Sequence, residues 1–259
     1  MNAYTKMPVL FIGHGSPMNA LEENEYTKNW VKTGQLLPRP KAILSISAHW
    51  YTHGTRITDS ANPRTIYDMY GFPEELYKIE YKAPGAPELA QRTKSLIHEE
   101  VMIDNSWGYD HGTWSVLHQM YPEADIPVYQ LSLNRNAEAG IHYRIGKELK
   151  VLREQGVLIF GSGNVVHNLS RLDWNMAGGY PWAEEFDHYI KEKILQKEYA
   201  DVINYEKAGK SAELAFPTPE HFYPLLYALG ATEEKDQLTI FNEDCMLGGL
   251  SMTSYLFQS

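Results

Sequence analysis

Val9-Leu10-Phe11-Ile12-Gly13-His14-Gly15-Ser16-Pro17 is the stretch whose reading decides the fold. Four apolar residues in a row behind Pro8 lack the in–out alternation of a half-exposed strand. They predict a short strand buried on both faces. Gly13-His14-Gly15 ends it and leaves an imidazole at the strand's carboxyl end, where open α/β sheets gather their ligands. The pattern returns twice. Ala42-Ile43-Leu44-Ser45-Ile46-Ser47-Ala48 runs into His49, and Val157-Leu158-Ile159-Phe160-Gly161-Ser162-Gly163 runs into Asn164 and then His167. Three buried strands that each deliver a histidine point to a shared metal or acid–base site. The bland alternative is three polar side chains that merely cap strands.

Between and beyond these strands the pattern turns helical. Amphipathic or capped segments predict helices over 24–36, 73–81, 88–99, 115–121, 137–155 and 182–199, with a last one opened by Thr218-Pro219. Gly156 reads as the C-cap of the longest. Further strands are expected at 101–103, 128–133, 238–241 and 250–257. Residues 52–72 are turn-rich and carry the cluster Tyr67-Asp68-Met69-Tyr70-Gly71-Phe72; a loop of that length is usually functional. Alternating strands and helices predict an α/β fold with a central, mostly parallel or mixed sheet flanked by helices. No linker, repeat or charge block divides the chain, so residues 1–259 read as a single domain.

Composition narrows the function. With 33 acidic against 23 basic residues the formal charge is −10, which argues against nucleic acid or an anionic membrane as partner. No apolar run approaches the roughly 20 residues of a membrane helix, and the amino-terminal apolar stub is too short for a signal peptide. The single Cys245 excludes an internal disulfide and a cysteine-rich zinc site. A cytoplasmic protein, monomeric or a small homo-oligomer, is the expectation. Ten histidines and 12% aromatic residues suit a pocket for a metal and an aromatic ligand.

Each histidine has a bland reading to weigh. His98, His142 and His188 fall in helical patterns among charged residues and are expected on the surface; His118 is expected in the core. His53 lies four residues after His49, but Gly54 makes a helical metal pair there unconvincing. His221 falls in the first turn of a helix, where the dipole disfavours imidazolium and so favours the neutral form that binds metals. Glu220 is a rival ligand, since adjacent helical positions point about 100° apart and only one can face the site. His111 is expected to bond to substrate or to Asp110. Dinucleotide, phosphate-loop, His-Glu-x-x-His and Gly-x-Ser-x-Gly signatures are missing or broken.

Five motifs, taken together, resemble a known family: Gly13-His14-Gly15-Ser16-Pro17, Ser47-Ala48-His49-Trp50, Tyr109-Asp110-His111-Gly112-Thr113-Trp114, Gly161-Ser162-Gly163-Asn164-Val165-Val166-His167-Asn168 and Pro217-Thr218-Pro219-Glu220-His221. They are similar to the class III extradiol ring-cleaving dioxygenases and, within them, to the DOPA extradiol dioxygenase subfamily. The resemblance covers nearly the whole chain in order. It implies a single-domain α/β enzyme that opens a catechol ring with O2 at one divalent metal ion. By position His14 and His49 match the family's two histidine ligands, His167 its acid–base histidine and His111 a residue facing substrate. His221 stands where the archetype of the class carries a glutamate ligand. Three neutral ligands leave the full metal charge and resemble a zinc site, so the resemblance implies Fe(II) for activity or Zn(II) as bound, with His167 a candidate fourth ligand. Trp50, Tyr67, Phe72, Tyr109 and Trp114 are candidates to stack on the ring, with core packing the alternative for each. The rivals are a zinc-dependent hydrolase using the same histidines and a non-catalytic binding protein of the same fold.

Overall fold

The three apolar stretches become adjacent strands of one six-stranded sheet in a computed structural model that describes residues 6–259. In chain order the strands are β1 (Val9–Gly13), β2 (Ala42–Ser47), β3 (Val128–Gln130), β4 (Val157–Gly163), β5 (Gln237–Phe241) and β6 (Ser254–Gln258). They lie in the order β3-β2-β4-β1-β6-β5, parallel from β3 to β1, with β6 antiparallel to both its neighbours. Helices α1 (Glu25–Leu36), α2 (Pro87–Leu96), α3 (His111–Met120), α4 (Ala139–Leu149), α5 (Pro181–Leu195) and α6 (Tyr223–Gly230) cover it. The mixed α/β architecture is thus the one expected.

The unalternating apolar runs pack on two cores at once. Val9, Phe11, Leu44, Ile46, Val157 and Ile159 join one cluster with α4, α5 and α6. Leu10, Ile12, Ile43, Leu158 and Phe160 join a second with Trp30 of α1 and Trp114 and Leu117 of α3. Each such side chain contributes about 1.5–3 kcal/mol on burial, an upper range. Strand period two also explains Gly161-Ser162-Gly163. A Cβ on Gly163 would sit 2.0 Å from the His221 carbonyl oxygen and one on Gly161 2.7 Å from that of Pro224, so these glycines let the chain leading into α6 lie directly on the sheet. Ser162 points to the other face, toward α3.

Several boundaries differ from those expected, each for a local reason. Helix α3 starts at His111 rather than 115, because Asp110 caps it by accepting the Thr113 N–H at 3.1 Å. The long helix is α-helical over Ala139–Leu149 and tightens into 3-10 turns over Lys150–Gln155 before Gly156 ends it at φ 85°. Strand 128–133 breaks after Gln130 and resumes at Leu133–Asn134. The helix opened by Thr218-Pro219 begins as one 3-10 turn, Pro219–His221, before α6. Among the described residues no helix is long and apolar enough to cross a membrane.

His142 is a correction. It is fully buried, not on the surface: its Nδ1 lies 3.1 Å from the Tyr227 hydroxyl of α6 and its ring stacks on Tyr223 at 4.1 Å. It shares the helix face of Ile145, Gly146 and Leu149, and Gly146 brings α4 so close to α6 that a Cβ there would meet the Tyr227 carbonyl oxygen at 2.3 Å. His98, His188 and His53 are exposed, whereas His118 is half-buried rather than in the core.

One buried carboxyl makes stability depend on pH. Asp187 of α5 accepts from the Ser251 hydroxyl at 2.5 Å and the Thr253 hydroxyl at 2.8 Å, and burial pushes its pKa up to about 6. A raised folded-state pKa favours the protonated form, so its contribution is present in full below about pH 4 and lost as pH climbs through about 6. Asp187→Asn removes the charge. The variant should gain on the native protein by on the order of 2–3 kcal/mol between pH 4 and pH 8, read from denaturant midpoints at the two pH values. Equal midpoint shifts at both would show that Asp187 does not titrate in this range.

Candidate metal centre and active site

The strand order brings the first two histidines to either side of β4. Gly13 lies opposite Gly163 and Ser47 opposite Ser162, so β1 and β2 end level and flank it. The His14 N–H donates to the Gly163 carbonyl and the Ala48 N–H to that of Ser162, which continues the ladder one step past the strands. The His221 carbonyl accepts from the Asn164 N–H at 2.8 Å, so the third histidine is tied to the same strand end. The donor atoms of His14, His49 and His221 all lie within 4.8 Å of one another. Ring centroids are 5.1 Å apart for His14–His49, 5.3 Å for His14–His221 and 5.0 Å for His49–His221.

Hydrogen bonding assigns a tautomer to each ring. The Ser162 hydroxyl gives its one proton to the Gly112 carbonyl at 2.5 Å, so at 3.0 Å from His14 Nδ1 it can only accept. Asp68 Oδ2 takes the Nδ1–H of His49 at 3.1 Å, and Glu220 Oε1 takes that of His221 at a long 3.3 Å. All three rings therefore carry the proton on Nδ1 and turn a bare Nε2 inward. The Nε2 atoms of His14 and His49 face each other at 3.2 Å, and that of His221 is buried without a partner. Two lone pairs at that distance repel unless a cation lies between them. Metal–nitrogen bonds of about 2.0–2.1 Å place neighbouring donors about 2.9–3.4 Å apart. The donor set fits one divalent metal ion.

The electrostatics agree. Burial first, then the neighbouring imidazoles, hold His14 and His221 well below the usual histidine range, so both are neutral at pH 7. His49 is the exception: burial opposes its charge, but the bond from its Nδ1 to Asp68 and the field of that carboxylate win, so its pKa is raised. Burial also works against ionised Asp68, yet the bonds from His111 and His49 hold its carboxyl well below the usual range.

Two further imidazoles border the three. His111, at the first turn of α3, lies with its ring centroid 3.8 Å from that of His49, and its Nδ1 and N–H bond to Asp68 rather than to Asp110. Asp110 is committed elsewhere, to Ser47, Trp107, Thr113 and Gln130. His167 stacks on His221, centroids 3.4 Å apart and planes within 4°. Burial, then the fields of His49 and His111, lower its pKa to about 3, so it is a neutral acceptor. Its donor atom groups with those of Glu220 and His221 and not with the His14–His49–His221 set, which favours proton transfer over a fourth coordination bond.

The aromatic candidates divide. Tyr109 is wholly buried, its hydroxyl shared among the carbonyls of Ala83, Pro84 and Val128, and Trp114 is wholly buried with its indole N–H on the Ile66 carbonyl. Both are core residues, which corrects their assignment to substrate. Trp50 is buried too and stacks on Trp107. Tyr67 and Phe72 are half-buried on the segment that carries Asp68. Asp68, Ser162 and Glu220 are the bracing residues, a role that sequence reading gave to none of them: Glu220 was weighed there only as a rival ligand, and Asp68 only as part of the 67–72 cluster.

Comparisons with known proteins point the same way. Residues 9–258 match the model of the catalytic LigB subunit of aromatic ring-opening dioxygenase. The chain is 47% identical to a 4,5-DOPA dioxygenase extradiol of Escherichia coli (strain K12), over 96% of this chain and 94% of that protein. It is 40% identical to the protein of the same name from Beta vulgaris, over 96% of each. A crystal structure of an uncharacterized Escherichia coli K12 protein superposes with a TM-score of 0.85 at 44% identity, covering 96% of this chain and 99% of that one.

Proposed function

This chain belongs to the family of catalytic LigB subunits of aromatic ring-opening dioxygenases, and on that premise we propose that it opens the ring of a DOPA-like catechol with O2, beside the two hydroxyls. The observation that carries the reading is the convergence of three Nε2 lone pairs, two facing each other at 3.2 Å and one buried without a partner. His14, His49 and His221 would hold the metal. Fe(II), when bound, supplies the redox chemistry by which O2 reacts with a closed-shell catechol. Zn(II) suits the same three neutral donors as a resting occupant and has no redox chemistry of its own.

The chain's own groups do the rest. His167, neutral beside His221, accepts one phenolic proton at a ring nitrogen and returns it as the ring opens. His111 gives its Nδ1–H to Asp68, so its Nε2 is left to accept from the second hydroxyl. Tyr67 and Phe72, half-buried beside Asp68, contact the ring and exclude water.

Anaerobic loading with Fe(II), then O2 and a panel of catechols including L-DOPA, tests the reading. One O2 should be consumed per catechol with a yellow ring-opened product, and the zinc form should take up none. Ester or amide hydrolysis by the zinc form, without O2 uptake by the iron form, would instead favour a zinc hydrolase.

A further inference from the structure

Asp68 braces two of the five clustered imidazoles at once. Its Oδ2 lies 3.1 Å from His49 Nδ1 and 3.0 Å from His111 Nδ1, and its Oδ1 takes the backbone N–H of His111 at 2.8 Å. An ionised carboxylate only accepts, so both rings must present Nδ1–H to it. The carboxylate is placed by the hydrogen bonds of its own segment. Its segment is held by the Ile66 N–H on the Tyr109 carbonyl at 2.7 Å and the Tyr67 hydroxyl on the Ile79 carbonyl at 2.7 Å. The side chain is 11% exposed, so water cannot readily replace it.

We propose that Asp68 is a positioning residue that sets the tautomer and ring orientation of His49 and His111 together, through one shared carboxylate. The proposal rests on the metal-centre reading above. Ser162 and Glu220 each serve one imidazole, whereas Asp68 ties a metal-facing ring to the ring that faces substrate. Both Nε2 atoms are thereby turned inward as lone pairs, one for the metal and one for a catechol hydroxyl. A partner of this kind typically changes metal affinity or activity 10–100-fold when removed.

Asp68→Asn tests this with nearly unchanged shape. The amide has one acceptor oxygen and a donating NH2, so it cannot accept from both rings and the His111 N–H together. The His111 N–H, fixed in the backbone and the shortest of the three bonds at 2.8 Å, claims the amide oxygen and turns the NH2 toward the rings, so at least one ring must turn or move its proton to Nε2, which places hydrogen where the metal or substrate binds. Competition titration of metal-free protein with Zn(II) should show affinity about 10–100-fold weaker than the native protein's. Long-range 15N correlation spectra of the metal-free native protein should show Nδ1–H on both His49 and His111. The same spectra of the variant should show at least one of them as Nε2–H, with its thermal midpoint within a few degrees of native. Native-like zinc affinity in a folded Asp68→Asn protein overturns the proposal, and so does an Nε2–H His49 in the native protein, an arm that needs no variant. Failure of the native protein itself to bind Zn(II), Fe(II) or Co(II) would instead overturn the metal-centre reading.

Discussion

Replacing His167 by Gln lowers turnover of the iron-loaded enzyme by about 10²–10⁴-fold, the usual contribution of a positioned acid–base group, while most of the bound metal is retained. Gln fills much of the imidazole's space but has no nitrogen lone pair to take a phenolic proton. The metal-facing donors of His14, His49 and His221 form their own set without His167, so metal content should survive. Catechol affinity should change little, because the phenol is still bound and only its proton lacks a destination. Steady-state kinetics and elemental analysis on the same preparation check both halves. A loss of metal as deep as in His14→Ala would make His167 a ligand and move the base to His111, whose Nε2 is the next acceptor.

Replacing Arg153 by Met costs about 3–5 kcal/mol of stability, as expected when one partner of a buried ion pair is removed. The guanidinium is fully buried, and it binds both carboxylate oxygens of Asp236, at 2.6 and 3.0 Å. It also donates to the backbone carbonyls of Met7 at 2.7 Å and Ala231 at 3.0 Å. It therefore ties the residues before β1 to the turn after α6. Met matches the stem's volume but leaves Asp236 charged and short of partners. Chemical denaturation should show the midpoint falling without change in metal affinity, because the pair lies away from the histidines. Adding Asp236→Leu should recover part of the loss. A stability loss below about 1 kcal/mol for the single variant would mean water reaches Asp236 once Arg153 is gone.

Much of the frame was legible because it follows from local periodicity. Apolar runs without in–out alternation cannot sit on a half-exposed sheet, so β1, β2 and β4 could be placed, and their terminal histidines with them. Gly156 as a C-cap and Pro219 at the first position of a helical turn were equally local. The start of α3 was also local, but the cap was passed over: Asp110, three residues before Thr113, is a standard N-cap, and reading it would have put His111 in the helix's first turn.

The amino-acid sequence by itself therefore determined three buried strands, the histidines at their ends and the α/β class of the fold around them. Tertiary structure alone decided which groups meet. Strand order put β4 between β1 and β2, so His14 reaches Ser162 across 148 positions. It sent Tyr109 and Trp114 into the core, where their polar atoms are consumed by backbone carbonyls. It buried His142, which a surrounding of charged residues had placed outside, because glycines let α4 and α6 approach to backbone distance. It also brought Asp68, from a loop with no periodicity to read, under His49 and His111. The physical reason is common to all four. Burial and hydrogen-bond partnership are set by neighbours distant in the chain, and periodicity carries information only about the face a residue occupies, not about what that face meets.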